Sequence, residues 1–356
     1  MKMTLRWYGS KYDSVTLEQI RQIPGVSGVI TTLYGKLPGE VWTRDEIKAL
    51  KDEVESAGLK LEGIESVNIH DSIKIGTPDR DKYIDNYIET LKNLGEEDIH
   101  LVCYNFMPVF DWTRSELARL RSDGSTVLAY NQDVIDKINP QEMFDSLNAN
   151  SNGFVMPGWE PERLAKLKDL FIAYKDVDDE KLFDNLVYFL KKIQPVCEKY
   201  NIRMAIHPDD PAWPIFNLPR IVTGQERLQK LMKAVDAPFN GVTLCTGSLG
   251  SNPKNNIPEI IRSLKGRIPF AHVRNLKYNS DRDFEEAAHL SSDGSMDMFE
   301  IMKALHDIDF DGVIRPDHGR MIWGEQAMPG YGLYDRALGA EYLLGLWEAI
   351  NKSKEV

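Results

Sequence analysis

IRMAIHPDD at 202–210 is a short aliphatic run that stops on a histidine, and the pattern recurs three times. GVTLCTGS (241–248) stops on Cys245, IPFAHVRN (268–275) on His272, and GVIRPDHG (312–319) on Asp317. Each run reads as a buried strand followed by polar groups, Pro or Gly. One His, Cys or Asp behind one strand means little: a histidine there is commonly hydrogen-bonded structure, a cysteine a small hydrophobe, an aspartate a turn former. Four potential ligands behind four successive strands predict a shared rim and a single metal centre. In an eight-stranded parallel barrel that rim is the C-terminal face, where active sites form.

The N-terminal half supplies four more strand candidates: MTLRWYG (3–9), VSGVITTLY (26–34), LKLEGIESVNI (59–69) and DIHLVCYNF (98–106). Helical patterns alternate with the strands at 16–23, 43–58, 80–95, 180–200, 224–235, 256–265, 296–307 and 334–350. The second opens on a Thr cap and closes on Gly58, and the third closes on Gly95. Strand–helix alternation means parallel pairing with helical crossovers. No glycine-rich dinucleotide fingerprint follows the first strand, which argues against a doubly wound open sheet. The expectation is a (β/α)8 TIM barrel, one domain over 1–356. The interval 111–178 is too long for a plain loop and is expected to be a helical insertion after the fourth strand. Its aromatics Trp112, Phe154 and Trp159 would cover the barrel mouth or a subunit interface, so a homo-oligomer stays open.

A net charge of -12 argues against a nucleic-acid partner, which needs a basic stripe. No apolar run is long enough to span a membrane, and the start MKMTLRWYGSKYD lacks a signal-peptide core. Three cysteines without framework spacing point to a reducing cytoplasm.

Two His, one Cys and one Asp fit Fe(II), Mn(II), Zn(II) or Co(II) better than Mg or Ca. Arginines gather by the same runs: Arg6, Arg220, Arg274, Arg315 and Arg320. Near a metal they suit bidentate capture of a carboxylate. Asp209 and Asp210 follow His207 as candidate supporting groups. Tyr331 lies between two glycines, on either a mobile loop or a turn with a packed aromatic, and His318 follows Asp317; both are acid–base candidates. A phenol near a cation is expected to ionise more easily.

The segments MKMTLRWYG, QIPGVSGVITTLYG, ESVNIHDSIKIG, HPDDPAWPIFNLPRI, TLCTGSLG, HVRNLK, RPDHGRMIWGE and PGYGLYDRALGAEYLLGLWE closely resemble the mannonate dehydratases of hexuronate catabolism, from the first residues to about Glu348. That resemblance implies a xylose isomerase-like barrel. It implies loss of water from D-mannonate, a small sugar acid, to give 2-dehydro-3-deoxy-D-gluconate, with Fe(II) or Mn(II). His207, Cys245, His272 and Asp317 fall on the family's metal positions, and His318 and Tyr331 in segments implicated in proton transfer. With the catalytic set Tyr331, His318 and Asp317 go Arg6, Arg274, Arg320 and Asp209 as substrate-binding candidates. One departure is Asn217, where the family pattern has Gly. The competing reading is a metal-dependent sugar isomerase on the same barrel, which would use a carboxylate-rich metal set and an uncharged substrate. An abasic-site endonuclease would need more zinc ligands and a basic surface. A non-catalytic sugar-acid binder would be stabilised by an aldonate without turning it over.

Overall fold

The computed structural model describes residues 1–140, 151–154 and 166–353; Trp159 lies outside them. Eight parallel strands close into a barrel: β1 (Lys2–Arg6), β2 (Val26–Thr31), β3 (Lys60–Glu65), β4 (Leu101–Tyr104), β7 (Arg203–Ile206), β8 (Asn240–Cys245), β9 (Phe270–His272) and β12 (Val313–Arg315). The four others are β5 (Glu116–Leu120), β6 (Thr126–Asn131), β10 (Asn275–Ser280) and β11 (Asp283–Ala287). A helix follows each barrel strand, at Leu17–Arg21, Arg44–Ser56, Arg80–Glu96, Asp179–Lys199, Gln225–Ala234, Ile257–Ser263, Met298–Asp307 and Leu333–Ser353. Thr43 caps the second of these as its sequence predicts, accepting from Glu46 N while Glu46 accepts from Thr43 N. The third runs one residue past Gly95, where a side chain would collide with Tyr200.

The barrel closes between its first and last strands, with Lys2 level with Val313. Arg336, in the C-terminal helix, locks this seam by donating to the carbonyls of Arg6 (2.7 Å) and Tyr331 (2.6 Å). Ile30, Leu101, Cys103, Ala205, Phe270 and Val313 form a buried cluster separate from the main core. They come from five barrel strands and alternate with residues that face the helices, so they fill the lumen. Side chains two residues further on share that face and stand at the top: His207 beyond Ala205, His272 beyond Phe270, and Arg315 beyond Val313. The His272 ring sits edge-on over Phe270, centroids 4.5 Å apart.

The insertion departs from the all-helical expectation. Its first part is a hairpin, β5 and β6, turning at Arg121–Ser125 around Asp123-Gly124. The alternating residues and the Asp-Gly turn are a hairpin signal that the helical reading passed over. A second hairpin, β10 and β11, leaves the barrel directly after His272, and β11 pairs antiparallel with β6. The result is a four-stranded sheet, β10-β11-β6-β5, beside the barrel mouth. Thr126 also exchanges backbone hydrogen bonds with Met321, tying the insertion to the loop behind Asp317. Helical pieces of the insertion do appear, at Gln132–Ile135 and Leu167–Tyr174. Asn217, the departure from the family pattern, has φ 59°, a left-handed conformation that Gly favours and Asn tolerates.

Candidate metal centre and active site

His207, Cys245 and His272 meet at the top of the lumen, with donor atoms all within 4.8 Å of one another. Strand register brings two of them level, since Cys245 pairs with His272. The same register puts Arg315, not Asp317, level with His272 on β12. Asp317 lies two residues beyond the strand, and its φ of 59° turns the chain back over the site. Its carboxylate comes within 3.6 Å of Cys245 Sγ and 3.9 Å of His272 Nδ1. Arg274 Nε (2.6 Å) and Arg315 Nη1 (2.7 Å) hold its two oxygens.

The donor chemistry fits a divalent ion. His207 Nδ1 lies 2.7 Å from the Pro208 carbonyl, which only accepts, so Nδ1 carries a proton and Nε2 is the nitrogen left to face the cluster. His272 Nε2 is buried without a hydrogen-bond partner. Burial pushes the Cys245 thiol up, but the Arg274 guanidinium and the neighbouring His207 and His272 rings outweigh it and hold the group down at about 5. The sulfur also accepts from Ser248 N and Oγ at the start of the helix Thr246–Gly250. Burial raises Asp317 too, and Arg315, His318 and His272 bring it well below the usual carboxylate range.

A cavity of about 550 Å³ opens over this cluster. His207, Asp210, Arg274, Arg315, Asp317, His318 and Tyr331 line it, together with Arg6 and Glu65, the last residues of β1 and β3, and Tyr8 just beyond β1. Arg6 Nη2 donates to Tyr34 Oη (2.9 Å), while Nε and Nη1 are buried without a hydrogen bond, Nη1 lying 3.6 Å from Glu65 Oε2. Arg274, by contrast, is spent on protein carboxylates: Nε on Asp317, Nη1 on Glu286 (2.6 Å) and Nη2 on Asp210 (2.8 Å). The structure does not bring Arg320 or Asp209 to the cavity wall. Arg320 grips Asp335 and reaches Asp123. Asp209 accepts from Val222 N (2.7 Å) and faces the buried Arg220 at 3.5 Å.

His318 and Tyr331 form a pair, Nε2 to Oη 2.8 Å. Burial, with Asp317 nearby, pushes the Tyr331 phenol up to about 12 against the pull of Arg315, so it stays protonated. Proximity to cations alone predicts the opposite direction; burial wins. The flanking glycines also have a packing role instead of a hinge role. Gly330 has φ 82°, and a Cβ there would meet Leu128 of β6 at 2.7 Å, while one on Gly332 would meet Glu325 at 2.3 Å.

Four site groups escaped the sequence reading. Glu65 ends β3 and lies 3.0 Å from Arg315 Nη2 and 3.5 Å from His272 Nε2. Glu286 (β11) lies 3.2 Å from His318 Nδ1. Arg114, just before β5, donates to Asp210 and Glu286. Tyr8 packs edge-on against Tyr331 at 4.9 Å. Glu65 closes an apolar run as His207 nearly does, and that parity was the available signal; Glu286 and Arg114 had none, because their hairpins were not recognised.

The family model for D-mannonate dehydratase (UxuA) matches residues 1–356. The mannonate dehydratase of Brachyspira hyodysenteriae is 69% identical over 352 residues, 99% of each chain. That of Thermotoga neapolitana is 59% identical over 357 residues, 100% of this chain and 99% of the other. The crystal structure of mannonate dehydratase from Streptococcus suis serotype 2 superposes with a TM-score of 0.90 at 44% identity, covering 99% of this chain and 96% of that one. A D-psicose 3-epimerase from Clostridium cellulolyticum H10, at 14% identity and TM-score 0.56 over 98% and 99%, shares the barrel fold alone. The match of whole sequence and whole fold places the chain in the D-mannonate dehydratase family of hydro-lyases.

Proposed function

We propose how this site carries out the dehydration that family membership assigns, of D-mannonate to 2-dehydro-3-deoxy-D-gluconate in hexuronate catabolism. His207, Cys245, His272 and Asp317 hold a divalent ion, Fe(II) or Mn(II). The supporting observation is the convergence of two imidazoles and a thiolate within 4.8 Å, with the Asp317 carboxylate 3.6 Å from the sulfur. When bound, the ion supplies fixed positive charge beside the substrate oxygens, where negative charge develops.

The C2–H bond of the aldonate breaks first in chemical difficulty, because its proton lies beside an already ionised carboxylate. Arg6, which lines the cavity with Nε and Nη1 free of hydrogen bonds and only a loose ion pair to Glu65, captures that carboxylate and offsets the second charge that builds on it. The C2 electrons form the C2–C3 double bond, the C3–O bond breaks, and the hydroxyl leaves as water after receiving a proton. The enol then becomes the 2-keto acid. His318 and Tyr331, hydrogen-bonded to each other at the cavity wall, carry the protons. Replacing Arg6 with Met should raise KM for mannonate roughly tenfold or more, the worth of a charged hydrogen bond, at unchanged metal content by elemental analysis.

The chain acts as one domain over 1–356, and the insertion 111–178 shields the site. Trp112 supports this, lining the cavity with its ring 6.2 Å from His318. Phe154 packs against the core. A reducing cytoplasm suits three free buried cysteines, one of them a candidate ligand. No helix among the described residues is long and apolar enough to cross a membrane. The isomerase reading is less supported, because the relatives matched over the whole chain are mannonate dehydratases, a thiolate is out of place in a carboxylate-rich metal set, and a guanidinium in the cavity wall suits a charged substrate. The test is metal-free protein reconstituted with Fe(II) or Mn(II) and offered mannonate or mannose. Formation of the 2-keto-3-deoxy acid from mannonate alone is expected; equal turnover of the neutral sugar would sink this reading.

A further inference from the structure

At the cavity wall, where Asp210 and Arg274 line it, two arginines and two carboxylates alternate in a closed ring. Arg114 bonds Asp210 through both terminal nitrogens (2.7 and 3.1 Å) and Glu286 through Nη2 (2.9 Å). Arg274 bonds the same two carboxylates, at 2.8 and 2.6 Å. All four side chains are almost wholly buried. A buried ion network is weak evidence for stability, because apolar side chains of like volume serve a fold as well or better. Its geometry, however, is stiff and directional. The ring has two outlets. Arg274 Nε reaches Asp317 on the metal side, and Glu286 Oε1 lies 3.2 Å from His318 Nδ1 on the proton side.

The second outlet decides where the His318 proton sits. A carboxylate held ionised by two guanidiniums only accepts, so Nδ1 carries the hydrogen. In the neutral ring Nε2 then has the lone pair, and Tyr331 Oη, 2.8 Å away, donates to it. Glu286 belongs to the hairpin after His272, and Arg114 to the hairpin of the insertion. We propose that Glu286 and Arg114 are positioning residues that fix His318 as the Nδ1–H tautomer, so that the second sheet, insertion included, sets the direction of proton movement between Tyr331 and His318. This rests on the reading of that pair as the proton carriers.

Glu286→Gln keeps the side chain's size but lets an amide face Nδ1, which can donate as well as accept. The test reads kcat, KM and metal content on the loaded enzyme, the kinetic isotope effect with C2-deuterated mannonate, and the His318 tautomer. The tautomer is read by 15N NMR on protein loaded with diamagnetic Zn(II), its signal assigned by its loss in His318→Gln. The expected result is kcat lower by roughly ten- to a hundredfold, with KM and metal content nearly unchanged, a larger isotope effect, and loss of the pure Nδ1–H signature. Arg114→Lys keeps the charge but not the fork, and should show the same pattern more weakly, since Arg274 still holds Glu286. A kcat within twofold of the parent in Glu286→Gln, an unchanged tautomer, or joint loss of metal and activity would each overturn the proposal. The NMR readout needs no turnover, so it tests Glu286 even if His318→Gln proves active and the proton-carrier reading fails.

Discussion

Cys245→Ala loses bound metal and mannonate turnover together. The thiol is the soft donor of the set, held near 5 against burial by Arg274, His207 and His272, and so kept as the thiolate that a metal needs. Alanine leaves two imidazoles and Asp317, whose oxygens already answer to Arg274 and Arg315. Removing an outer partner of a metal ligand commonly costs ten- to a hundredfold; removing a ligand should cost more than about a hundredfold. Elemental analysis beside a turnover assay reads both quantities. Thermal unfolding of the variant should match that of the metal-free parent, since little more than one buried sulfur is removed. Full metal occupancy in the variant would take Cys245 out of the set.

Tyr331→Phe has the next largest effect. It removes one oxygen and keeps the ring that packs edge-on against Tyr8 and His318, both at 4.9 Å. The backbone is held independently of the phenol, by Tyr331 N donating to Met328 O (2.8 Å) and by Arg336 on its carbonyl. A proton carrier lost from the transition state costs roughly a hundredfold or more in turnover, and metal content should not change. Near-normal turnover would reduce Tyr331 to packing and leave His318 as the principal acid–base group.

The barrel was legible because its signal is repetitive. Eight apolar runs alternate with helical patterns, and the donors of three runs sit where strand parity puts them. Asp317 was found for an incomplete reason: it closes the last run in the sequence, but Arg315 occupies the level position, and a left-handed backbone brings Asp317 in. Arg320 and Asp209 show the limit of proximity along the chain. Each lies within three residues of a site group, yet Arg320 turns to Asp335, and Asp209 to Arg220 and Val222 N. Glu286 and Arg114 were hidden because their role depends on two hairpins pairing across more than a hundred and fifty residues of chain. Length alone marked the insertion as important. The alternating residues and the Asp123-Gly124 turn spoke for its strands, and the helical reading passed over both.

The seam between β1 and β12 has a consequence for how the molecule comes into being. Arg6 emerges from the ribosome before every other group of the site and waits until β12, the strand beside it, has been made. His207, Cys245 and His272 emerge together and can gather an ion while the polypeptide is still growing. Asp317, His318 and Tyr331 come after them, and the helix whose Arg336 fastens β1 to the Tyr331 loop comes later still. Metal capture and proton handling are thus separated in time during translation, and a prematurely terminated product carries the donors of the first without the groups of the second.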